Sequence, residues 1–105
     1  MAWVLLLIAG LLEVVWAFTM KLSQGFTRPN ASIVTVLAML ASVGLLSASM
    51  KTLPLGTAYT VWTGIGAVGA FIVGVVVLGE SVNAARVLAA ALIVSGLILM
   101  KVSTP

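Results

Sequence analysis

The chain has 105 residues, 63% of them hydrophobic and only 7% charged, with a formal net charge of +3 and neither Cys nor His. A water-soluble domain is about one quarter charged, so this composition excludes a solvated globular surface and predicts an all-α integral membrane protein. Five cations against two carboxylates are too few and too scattered for nucleic acid, and the missing Cys and His exclude thiol chemistry and an ordinary zinc site.

Four apolar runs follow one another, predicting a single four-helix transmembrane domain over 1–105, with helices at about 2–21, 31–50, 57–78 and 84–102. Each is close to the ~20 residues that cross a bilayer core of ~30 Å. The first run has no basic segment before it and carries Glu13 inside it, which argues against a cleaved signal peptide. Glu13 stands ten residues after Trp3 and eight before Lys21. At 1.5 Å per residue that is ~12 to 15 Å from either boundary, in the middle of the membrane. A charge there costs about 2.5 to 3.5 kcal/mol, so the carboxylate is expected to face the protein interior. Its helix face includes Ala9, Gly10, Trp16, Ala17 and Met20; the small residues permit close helix approach and Trp16 offers an aromatic wall.

The second run follows the Pro29-Asn30 pair and carries Thr35, Ser42 and Ser49 at sevenfold spacing. Hydroxyls on one face serve as interhelical glue; Ser42, near mid-depth, is equally suited to hydrogen-bonding a carboxylate or a substrate. The third run, after Pro54 and Gly56, holds Tyr59 and Trp62 on one face and then "TGIGAVG". Each glycine weakens a helix by ~1 kcal/mol relative to Ala, so Gly64 and Gly66 predict a hinge or a close backbone crossing. Gly66, Ala70 and Gly74 form a small-residue ladder. With no following Lys and no preceding strand, these glycines are not a nucleotide loop. Before the fourth run, Gly79 is a candidate C-cap, Ser81 or Asn83 a candidate N-cap, and Glu80 reads as a solvated loop charge.

Four spans place Lys51 and Lys101 on one side of the membrane and Lys21, Arg28 and Arg86 on the other. So even a count gives almost no bias under the positive-inside rule and predicts insertion in both orientations. Four helices leave little room for a shielded cavity, and the two halves of the chain show no repeat. Alternating access commonly uses two inverted repeats about a midplane site, and an oppositely inserted second copy supplies that symmetry. An antiparallel, dual-topology homodimer of eight helices is therefore expected, with two Glu13 side chains near its centre. Burial disfavours the charged form of a carboxylate, and two like charges hinder one another, so the pair is expected to hold either protons or a cation. Competition for one such site, open to one side at a time, is antiport.

"GLLEVVWA" around Glu13, and "KTLPLGTAYTVWTGIGAVGA" with Tyr59 and Trp62, resemble the small multidrug resistance family over essentially the whole chain. The resemblance implies a bacterial inner-membrane protein, an antiparallel dual-topology dimer and exchange of protons for cations, with no cofactor. Within the family, Trp16 one turn after Glu13, Ser42 and "PLGTAY-VWTGIGA" resemble guanidinium exporters more than quaternary-ammonium pumps, whereas Thr60 and Phe18-Thr19 depart from that pattern. By this resemblance Glu13 binds guanidinium or protons, Trp16 and Trp62 line the site, and Ser42 and Tyr59 orient the carboxylates. The alternatives are a multidrug or quaternary-ammonium cation–proton antiporter on the same scaffold, and a non-transporting membrane subunit. No nucleophile–base pair or cofactor loop supports an enzyme.

Overall fold

The structure, a computed structural model, describes residues 1–103; the last two residues of the expected domain lie outside the described residues. It consists of four α-helices, α1 (Ala2–Leu22), α2 (Pro29–Ser49), α3 (Leu55–Val76) and α4 (Ala84–Ser103). All four are long and apolar enough to cross a membrane. Both proline boundaries lie slightly earlier than composition suggested. Pro29 occupies the first turn of α2 behind an extended Arg28, and an extended Pro54 caps α3. Proline suits these positions because its missing N–H has no partner in a first turn.

The connectors are short and hydrogen-bonded. Between α1 and α2 the backbone is left-handed at Gln24, Gly25 and Phe26. Buried Ser23 holds this turn: its Oγ donates to Met20 O (2.7 Å) and accepts the Phe26 N–H (3.0 Å). Ahead of α4, Asn83 Oδ1 accepts the Arg86 N–H (2.9 Å), the bond of an N-cap.

The helices pack as a row, in the order α2, α1, α3, α4, with α2 also touching α3. A two-by-two bundle with helices 8–10 Å apart would have similar widths in both directions; this chain measures 43 × 34 × 16 Å. The core is the α1–α2–α3 side of the row: Leu6, Ala9, Leu46, Ala58, Val61 and Trp62, flanked by Trp3, Trp16 and Ile65. Thr35, Ser42 and Ser49 are all fully buried, so the sevenfold stripe is the face of α2 turned inward. α4 packs mainly on α3 and has no buried residue.

Candidate functional site

The crossing of α1 over α3 is built from glycines. A Cβ on Gly10 would meet Ile65, one on Gly66 would meet the Glu13 carboxyl group, and one on Gly69 would meet Val14. The two helices therefore approach closely along three successive contacts, and the middle one seats the carboxylate on bare backbone. α3 runs unbroken through this segment; its glycines here serve close approach. Gly64, on another side of α3, is covered instead by Leu97 of α4.

Glu13 Oε1 is shut off from the surface and has no hydrogen-bond partner among the described residues; the same holds for Trp16 Nε1, one turn along α1. Buried polar atoms are nearly always paired, and an unpaired one carries a desolvation penalty. Two orphaned groups, an acceptor and a donor, thus share one stretch of the first helix. Of the two, only the carboxylate oxygen can accept a hydrogen bond; the indole N–H is a donor.

Ser42 and Trp62 lie next to that stretch and are tied to it. Ser42 Oγ donates to Ala9 O (2.6 Å) and accepts from Trp62 Nε1 (3.0 Å). In an α-helix the carbonyl of residue 9 also receives the N–H of residue 13, so the Ser42 hydroxyl grips the turn of α1 that bears Glu13. One hydroxyl joins three helices. Its proton goes to backbone and not to the carboxylate. Tyr59 stacks obliquely on Trp62, with ring centroids 5.6 Å apart and planes at 56°, and stays 53% exposed. The Tyr59 side chain thus covers the buried indole while remaining half open on its own outer side.

The sequence did not signal the Ala9 carbonyl, because a backbone atom leaves no residue-type mark. Nor did it mark Thr19 as an interhelical tie; its Oγ1 lies 2.6 Å from Thr35 Oγ1, a second hydroxyl link between α1 and α2. Thr35 was legible as glue from its face; its partner was not. At the far end of α1, Lys101 Nζ sits 5.1 Å from the centre of the Trp3 ring. Both residues line an open apolar cleft of ≈ 440 Å³ between α1, α3 and α4, whose lining contains no carboxylate.

The chain matches the Small Multidrug Resistance protein family over residues 1–93. It is 60% identical over 104 residues to a protein of Citrobacter freundii named "Guanidinium exporter", with 99% of both chains covered. Proteins of the same name from Escherichia coli K12 and Salmonella typhi are each 59% identical, over 104 and 103 residues, covering 99% and 98% of both chains. A chain of four membrane-spanning helices with this match is a multi-pass transporter-type membrane protein and a member of the Small Multidrug Resistance family.

Proposed function

We propose that the protein exports guanidinium in exchange for protons across the bacterial inner membrane, as an antiparallel, dual-topology homodimer. The observation that carries this reading is the Glu13 carboxyl group, seated on Gly66 with Oε1 shielded and unpartnered, in a chain 60% identical to proteins named for guanidinium export. Guanidinium is planar and offers paired N–H donors that match a carboxylate in a fork. Binding it at Glu13 satisfies the orphaned oxygen and neutralises the charge; a proton does the same, so the two compete. Trp16 and Trp62 supply aromatic surface for the flat cation. The Ser42 hydroxyl fixes the turn that aims the carboxylate, and exposed Tyr59 reaches toward the second copy.

The row-like packing supports the dimer. A layer one helix deep with a fully unburied α4 cannot by itself enclose Glu13 on all sides, and an inverted copy gives each membrane face the same opening. The test is electrical. Purified protein in liposomes is expected to give a current on guanidinium addition that Glu13→Gln loses while remaining dimeric. A response to tetrapropylammonium alone would replace this reading with the broader cation pump, and silence to both, with no substrate-driven proton movement by a pH-sensitive dye inside the liposomes (the readout that also detects a one-for-one, electroneutral exchange), would leave a non-transporting subunit. For topology, two added Lys on one loop should bias insertion and lower activity, and co-expression with an oppositely biased copy should restore it. Full activity of one fixed orientation would overturn the antiparallel arrangement.

A further inference from the structure

The chain's two carboxylates rest on the same small-residue ladder of α3: Glu13 on Gly66 and Glu80 on Gly74. The two glycines are eight residues apart, about 12 Å along the axis, with Ala70 between. Glu80 reaches this place because left-handed Gly79 (φ +69°) turns the chain back and the Glu80 N–H bonds Gly74 O (2.9 Å). The residue expected to be a solvated loop charge is exposed, yet its carboxylate folds over the helix. It borders a cleft of ≈ 320 Å³ whose lining includes Ala17, Lys21, Ala70, Phe71 and Arg86. Ala17 and Lys21 follow Glu13 by one and two turns of α1. The cleft thus prolongs the Glu13 face toward the membrane surface.

A guanidinium group already forms one wall of this cleft. The Arg86 side chain lies over the Phe71 ring, 5.2 Å from its centre, and Nη1 donates to Ser81 O (2.7 Å). Glu80 forms no ion pair with Arg86 or Lys21 among the described residues. An aromatic face, a carbonyl acceptor and an uncommitted carboxylate are the partners a planar cation needs.

We infer that this cleft is an outer guanidinium site, in which the Arg86 side chain holds the seat a free guanidinium ion takes on Phe71 and Ser81, and Glu80 supplies the counter-charge. The inference rests on the guanidinium-export reading. An incoming ion displaces the Arg86 head group into water, pairs with Glu80, and stands two helical turns from Glu13. Lys21 and Arg86 both repel it, so the site is weak and releases quickly, as a station on a transport path must. In the antiparallel dimer one such cleft opens at each membrane face.

The test compares guanidinium-evoked currents of the full-length protein in liposomes, with dimer integrity checked by gel filtration. Glu80→Gln is expected to raise the apparent KM about three- to fivefold, the worth of one exposed ion pair, with a smaller change in saturating current. Arg86→Lys keeps the charge but removes the planar fork, and is expected to lower the apparent KM by freeing the seat. Glu80→Asp, which keeps a shorter carboxylate, should fall between wild type and Glu80→Gln and serves if the Gln variant does not assemble. An unchanged KM in the Glu80 variants, or Arg86→Lys indistinguishable from wild type, overturns the outer site while leaving guanidinium export intact. A wild-type protein with neither a Glu13-dependent guanidinium current nor Glu13-dependent guanidinium-driven proton movement overturns both.

Discussion

α1 and α4 are almost the same helix by composition and opposite by situation. They are 21 and 20 residues long, with mean hydropathies of 2.1 and 2.0. α1 lies between α2 and α3, buries Leu6, Ala9 and Gly10, and carries the one carboxylate set inside a helix. α4 packs mainly on α3, meets α1 at the Lys101–Trp3 contact, has no buried residue, and leaves Leu88, Leu92, Ile98 and Leu99 at least 60% exposed. In lipid an exposed leucine incurs no penalty, because the hydrocarbon is as apolar as a core. Hydropathy therefore measures only whether a helix belongs in the membrane. Neighbours are chosen by what breaks the apolar surface: glycines that admit another helix, and hydroxyls that need a partner.

The largest effect should come from the side chain that most separates the two helices. Glu13→Gln is expected to abolish guanidinium-driven current with the dimer retained; a current persisting in the mutant would remove the carboxylate from transport. Next is a paired substitution on α3 that sets the two contacts against each other. Gly66→Val drives a side chain into the Glu13 seat, whereas Gly64→Val drives one into Leu97 of α4. Overpacking costs about 1–3 kcal/mol in either case. Gly66→Val is expected to lose transport, and Gly64→Val to retain much of it because peripheral α4 can shift. Equal losses in a flux assay would mean that α4 is held as firmly as α1.

Ser42→Ala is a smaller perturbation. It removes the tie between Ala9 and Trp62 and leaves the indole N–H unpaired, at a cost near 1 kcal/mol for a hydrogen bond between membrane helices. Thermal or denaturant titration of the detergent-solubilised protein should register that loss, together with a guanidinium affinity lowered through the loosened Glu13 turn. The smallest effect is expected on α4. Leu92→Ala removes an exposed side chain and should alter protomer stability by no more than about 0.5 kcal/mol, while a dilution series shows a weaker dimer if a second copy covers this helix. A large protomer destabilisation would contradict its unburied position.

Much of the fold was legible, for a simple reason. Four apolar runs of bilayer length, separated by Pro, Gly and charge, leave the backbone no alternative to helices, since every peptide group must be bonded within its own segment. The special status of Glu13 was equally legible, because a mid-bilayer carboxylate among apolar residues is too costly to be incidental. The inward face of α2 could be read from Thr35, Ser42 and Ser49. Glu80 was legible as an exposed loop charge, but its seat over Gly74 was not: that depends on the φ of Gly79 and on a bond to the Gly74 carbonyl, neither of which has a pattern in residue types.

The sequence by itself therefore determined the apolar character of the surroundings, the number of membrane-length helices, the place of the carboxylate midway along the first of them and the near balance of flanking charge, all of which depend on one-dimensional spacing and transfer free energy. Only the tertiary structure decided which glycine receives which side chain, that Ser42 spends its proton on the Ala9 carbonyl, that α4 stands outside the core, and that both carboxylates share one stripe of α3. Those outcomes depend on how helix surfaces interlock at close range, where a missing Cβ or a single backbone acceptor matters more than hydropathy.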